Sequence, residues 1–312
     1  VKLQVPLHHL GAVYCIGDVT VSTALLQRCA ADGRCIVFLD WSGRFQARVE
    51  GPVSGNVLLR RAQHETLTDP GRTLALARTF VAAKIQNARQ IILRGAREAA
   101  DPADVLPLQN LARHIAEQVP RLEAAADTDV VRGVEGDVAR RYFEVFGRLV
   151  REDREVFAMN GRTRQPPRDR MNALLSFLYT LLTADCASAV EGVGLDPQVG
   201  YLHVLRPGRP ALALDLVEEF RALLADRLAL TLINRRQLAA SDFEDRPGGA
   251  VTLKEAGRKA VLVAYQQRKQ EELTHPVTGE KTPLGLVPHV QARLLARYLR
   301  GDIEAYAPFL YR

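Results

Sequence analysis

From residue 70 onward, apolar residues recur at helical intervals. Leu74, Ala77, Phe80, Val81, Lys84 and Ile85 fall on one helix face, and the pattern runs on to Leu93. Pro70, preceded by Thr68 and Asp69, predicts where that helix starts. Further helices are predicted over 108–123, 135–159, 169–189, 212–233, 253–272 and 288–300, with loops over 162–167, 192–200, 206–210, 241–249 and 275–284. Residues 1–66 read differently. Short β-rich runs at 1–5, 12–16, 35–40 and 44–50 are broken by Gly11, Gly17, Gly33 and Gly43. One helix is expected over 21–31, capped by Ser22 or Thr20, and a last strand over 57–62. The prediction is a two-domain α+β protein: a β-rich domain over 1–66, a linker at 67–70 and an all-helical domain over 71–312. No internal repeat or low-complexity tract interrupts it.

The length of 312 residues agrees with about two domains. Apolar residues make up 47% and charged residues 25%, which is ordinary for a globular protein. Lys and Arg number 42 against 36 Asp and Glu, a formal charge of +6 carried mostly by Arg. A guanidinium suits phosphate oxygens, so the excess is compatible with nucleic acid without requiring it. Cys15, Cys29, Cys35 and Cys186 form no CxxC pair and read as reduced thiols of a cytoplasmic protein. No run of about 18 uninterrupted apolar residues predicts a membrane span, and no signal-peptide pattern is found. The chain begins at Val1 and enters a strand-like run at once, so a truncated N-terminal domain is expected.

Four residues can carry chemistry together: Glu135, His203, Asp215 and Glu218. Glu135 lies three residues before Val138 and projects from the apolar side of the predicted helix, where an unpaired carboxyl group is costly. At a helix start it could equally be held by the helix dipole. His203 sits among apolar neighbours in Gly200-Tyr-Leu-His-Val-Leu205, and a hydrogen-bonded core histidine is the competing reading. His8 and His9 are adjacent near the start of the sequence, and His64, His114, His275 and His289 lack acidic partners at ligand-like spacing. Asp215 and Glu218 are three apart and share a helix face, so both can approach one cation; a surface charge cluster is the alternative. A mixed carboxylate and imidazole set with open positions suits Mg²⁺ or Mn²⁺ and phosphodiester chemistry.

The run Gly161-Arg-Thr-Arg-Gln-Pro-Pro-Arg-Asp-Arg170 is the basic element expected to meet DNA, through Arg164 and Arg168. Arg221, Arg235 and Arg236 follow the two acids and could neutralise phosphate near the ion. No Walker loop, dinucleotide glycine fingerprint or serine-nucleophile elbow is present.

Four motifs in order resemble the CRISPR-associated endonuclease/integrase of the spacer-acquisition module, over nearly the whole chain. Residues 132–143 resemble its Gly-x-Glu-Gly helix start, and 166–182, with Asn-Ala-Leu-Leu-Ser-Phe-x-Tyr, resemble the helix before its histidine. Residues 200–203 resemble its Gly-x-Leu-His element, and 214–221, followed by Asp226-Arg227 and Ile233-Asn234-Arg235, its Asp-x-x-Glu-Glu-Phe-Arg helix. The ending 298–306 is most similar to the type I-C branch. The resemblance implies a Mg²⁺ or Mn²⁺ ion held by Glu135, His203 and Glu218, with Asp215 beside them tuning the ligands or touching the metal's water. It implies no covalent protein intermediate. The nucleophile would be the 3′-hydroxyl of a captured double-stranded fragment attacking the CRISPR repeat, or water in cleavage. It also implies a homodimer, two of which flank a dimer of a small ferredoxin-like adaptation protein, and a β-sandwich-like N-terminal domain with strands ahead of residues 1–5. Val138 and Ala222 stand where the family more often has Ala and Pro. The competing functions are a non-catalytic DNA-binding scaffold and a helical metallohydrolase of small phosphate esters.

Overall fold

The computed structural model describes residues 4–10, 12–40, 45–49, 51 and 57–311. The chain divides into two compact units, Val1–Asn56 and Val57–Arg312.

In the first unit, strands β1 (Ala12–Ile16), β2 (Cys35–Leu39) and β3 (Phe45–Val49) form a sheet in that order. β1 pairs parallel to β2, and β3 pairs antiparallel to it. A parallel pair needs a crossover, which helix α1 (Thr23–Ala31) supplies. Ser22 caps α1 by accepting from the Leu25 N–H. Gly33, at φ 66°, turns the chain from α1 into β2. Cys15, Cys29 and Ile36 form the buried centre. This is the only sheet of the unit among the described residues. Gln4 and Val5 lie outside it, and the rest of the strand predicted over 1–5 falls outside the described residues, as do 44 and 50.

The second unit begins with a helix. Residues 57–62 are not a strand but the start of helix α2 (Val57–Thr68), whose buried residues Leu59, Gln63 and Thr66 follow helical spacing. Asp69 alone separates α2 from α3 (Pro70–Arg97), and it caps α3 by accepting from Gly71 and Arg72. There follow α4 (Pro102–Glu123), α5 (Thr128–Phe146), α6 (Arg170–Gly192), α7 (Ala211–Phe220), α8 (Arg227–Asn234), α9 (Glu255–Gln270) and α10 (Val287–Leu299). Helix α5 starts at Thr128, capped by Asp127, and so Glu135 lies in its interior rather than at its start. Burial of Val131, Val134 and Val138 carries the helix through Gly133 and Gly136. The single helix predicted over 212–233 is α7 and α8 joined by a π-helical segment, Arg221–Asp226.

The second unit is not all-helical. Hairpins β4–β5 (Phe243–Arg246 with Ala250–Leu253) and β6–β7 (Glu272–Thr274 with Lys281–Pro283) are present; β4 and β7 occupy predicted loops, while β5 and β6 take in Leu253 and Glu272, the two ends of the helix predicted over 253–272. Helix α6 is long and apolar enough to cross a membrane by length and composition, but most of that apolar window is buried inside the protein, as in a core helix. α3 packs on α4, α5 and α7, and α6 packs on α7 and α10. The C-terminal tail after α10 is fastened to this core by Asn87 of α3. Its amide donates to the carbonyls of Glu219 and Phe309, and its carbonyl accepts from the Tyr311 N–H.

Asn87→Ala leaves those three buried backbone groups without their partner. We expect a loss of about 2–4 kcal/mol in urea unfolding and faster carboxypeptidase trimming of the tail. An unfolding midpoint equal to the parent's would show that the tail contributes nothing to stability.

Candidate metal centre and nucleic-acid interface

The centre is assembled from α3, α5, α7 and the loop before α7. Asp215, on the first turns of α7, is fully buried. One of its oxygens accepts from the N–H groups of Tyr201 and Leu202 at 2.6 and 3.1 Å. The other accepts from the N–H and the ring Nδ1–H of His203 at 3.0 and 2.7 Å. Donation from Nδ1 fixes the tautomer that leaves a lone pair on Nε2. Nε2 points toward Glu218, with Oε1 at 3.9 Å, too far for a hydrogen bond. Gly200 makes this crossing possible, because a Cβ there would lie 2.6 Å from the Ala211 backbone. Arg132 of α5 ties the same loop down by donating to the Leu202 carbonyl at 2.8 Å. With both oxygens engaged, Asp215 holds His203 and has no oxygen left for a metal's water.

Glu135 and Glu218 meet across the ammonium of Lys84. Lys84 Nζ donates to Glu135 Oε1 and to Glu218 Oε2, the latter at 2.8 Å. Glu218 is 5% exposed. Burial pushes its carboxyl up, but Lys84 and Arg221 outweigh burial and hold it well below the usual carboxylate range. Among the described residues, no three of Asp, Glu, His and Cys stand close enough together to hold an ion as they are. The groups converge on an ammonium instead. The donor chemistry fits a divalent ion: two carboxyl groups already gathered around positive charge, and an imidazole with its free nitrogen toward one of them and a carboxyl group behind it.

Arg221, expected to meet DNA, faces inward. Its guanidinium lies 3.1 Å from Glu218 Oε1 and 4.2 Å from the centre of the Tyr179 ring. Tyr179 and Tyr142 donate to the buried Asp226 at 2.5 and 3.0 Å. The π segment thus presents Arg221 to Glu218 and Asp226 to two tyrosines. Arg162 stacks on the same Tyr179 and donates to Asn172 and Ser176. Arg164, Arg168 and Arg235 are exposed; Arg168 donates to the Gly248 carbonyl at 2.7 Å. Arg206 and Arg209, missed from the sequence, add charge on the loop after His203. Arg209 is drawn down by burial and by the nearby positive charge of Arg206 and Arg164. Lys84 was also missed. Its signal was its place among Phe80, Val81 and Ile85 on an apolar face, where a lysine needs a partner.

The neighbouring acid has a different task. Glu219 faces away from this cluster and accepts from Tyr306, Gln291 and the Phe309 N–H. Burial, only partly offset by those donors, pushes its carboxyl up to about 7.

The profile of the family described as CRISPR associated protein Cas1 matches residues 1–267. Over 311 residues the chain is 62% identical to a CRISPR-associated endonuclease Cas1 of Moorella thermoacetica, covering 100% of this chain and 91% of that one. The fold is similar to that of a casposase bound to its integration product, with TM-score 0.84 and 23% identity over 96% of this chain and 82% of that one. It is also similar to part of a Cas6-RT-Cas1–Cas2 complex, with TM-score 0.82 and 24% identity over 99% of this chain and 33% of that one.

The raised Glu219 gives a pH test. Between its ordinary value of 4.5 and about 7, the folded state holds this proton more tightly than the unfolded chain. Stability from this group therefore falls as pH rises through that window, by about 3 kcal/mol in full. Glu219→Gln should remove that slope, read as the difference between parent and variant unfolding free energies from pH 4.5 to 7.5. A difference that does not change with pH would contradict the assignment.

Proposed function

The chain belongs to the Cas1 family of CRISPR-associated endonucleases, and we propose that it is a metal-dependent DNA endonuclease and integrase of spacer acquisition whose ion is held by Glu135, His203 and Glu218. The observation that carries this reading is the meeting of two carboxyl groups from α5 and α7 beside an imidazole whose tautomer Asp215 fixes. Mg²⁺ or Mn²⁺, when bound, supplies Lewis-acid stabilisation of charge developing on a phosphoryl oxygen. The chain's own part is positional. Asp215 keeps the His203 lone pair on Nε2, and Arg221 holds Glu218 in one orientation by donating to both of its oxygens. No serine, cysteine or tyrosine is needed as a covalent nucleophile. The attacking group is the 3′-hydroxyl of a DNA fragment in integration, or water in cleavage.

Arg164, Arg168 and Arg235, with Arg206 and Arg209, are exposed or half-buried cations that suit a DNA backbone, whereas Arg221 serves the ligand set. A homodimer, and assembly with a small ferredoxin-like adaptation protein, belong to this reading through the family. So do the sandwich form of the first unit, the type I-C assignment and a cytoplasmic location.

One observation favours a rival. Lys84 already pairs with both Glu135 and Glu218, as it would in a DNA-binding scaffold with no metal. Cleavage assays separate the two. Glu135→Ala and His203→Ala should each lower Mn²⁺-dependent DNA cleavage by at least about a hundredfold while circular dichroism stays that of the parent. Parent-level cleavage by both variants, or no chelator-sensitive cleavage by the parent, would favour the scaffold. Arg164→Ala should weaken DNA binding across sequences and reduce the salt slope of log K by about 1; an unchanged slope would remove Arg164 from the interface.

A further inference from the structure

We propose that Lys84 is a resident counter-ion of the metal centre, which an entering divalent ion must displace. The inference rests on the metal reading above and adds a residue that opposes loading. Lys84 stands on the buried face of α3 beside Phe80, Val81 and Ile85, where an apolar side chain would pack without the desolvation an ammonium suffers. Only 12% of its side chain is exposed, and its ammonium is engaged by carboxyl groups from two other helices, Glu135 on α5 and Glu218 on α7. That bridge holds the two acids together when no ion is present. Without it, Glu218 would keep Arg221 but Glu135 would have no cation among the contacts described. Glu135, at 25% side-chain exposure, is the solvent-facing member, so ion and ammonium exchange on that side. Two carboxyl groups do not satisfy a dication and an ammonium together, because the added positive charges repel at contact distance in a site only partly open to water. Loading is therefore an exchange of cations, and the affinity for the ion is lower than the three ligands alone would give.

Three measurements on the full chain test this. In calorimetric titration with Mn²⁺, Lys84→Met should bind about tenfold or more tightly than the parent, and Lys84→Arg should not gain. In chelator, Lys84→Met should melt below the parent and recover on adding Mn²⁺. The third measurement needs no variant. Amine-reactive labelling of the parent, read at Lys84 by mass spectrometry, should rise several-fold when Mn²⁺ is added. Equal or weaker Mn²⁺ binding by folded Lys84→Met would overturn the proposal. If that variant does not fold, Mn²⁺ binding to the parent with no change in Lys84 labelling overturns it. If the parent binds no Mn²⁺ at all, the metal reading fails and takes this proposal with it.

Discussion

Asp215 is shut off from solvent, and its two oxygens accept four hydrogen bonds from three consecutive residues of one loop. The rest of the centre depends on this contact. It turns the loop before α7 and the helix itself into one rigid piece, and it settles which ring nitrogen of His203 is free. Gly200 allows the approach by having no side chain where the Ala211 backbone passes. Arg132 then carries the fixation to α5 through the Leu202 carbonyl, so that His203 is held relative to Glu135 as well as to Glu218.

Glu218 and Glu219 are neighbours with opposite surroundings. Glu218 sees Lys84 and Arg221, and positive charge overrides its burial. Glu219 sees only neutral donors, and burial prevails. One acid is kept for charge chemistry, and the other anchors the C-terminal tail against the back of the same helix through Tyr306 and Phe309. The π segment that follows is part of this division. It turns Arg221 toward Glu218 and sends Asp226 to Tyr142 and Tyr179, giving the Glu218 side of α7 further polar support.

Much of this was legible in the sequence, for identifiable reasons. The caps Ser22, Asp69 and Asp169 and the long apolar stripes mark α1, α3 and α6 in the right places. Glu135, His203, Asp215 and Glu218 stand out as polar residues in apolar surroundings, and their motifs named the family. What stayed hidden depends on tertiary context. Residues 57–62 are too short an apolar run to separate strand from helix. Gly133 and Gly136 resemble a helix boundary, but the buried valines around them continue the helix. The two hairpins have strands of three or four residues and little periodicity to read. Arg221 looks like a DNA contact until the π segment shows which way it faces. Lys84 is ordinary in composition and unusual only in being buried.

The claim that Glu135, His203 and Glu218 form one metal site is tested most directly by anomalous diffraction from crystals grown with Mn²⁺. The expected result is a single strong peak per chain bounded by these three side chains, at ligand distances of about 2.0–2.3 Å, with Asp215 still bound to the His203 ring. A peak elsewhere, or none with Lys84 still bridging Glu135 and Glu218 at saturating Mn²⁺, would contradict it.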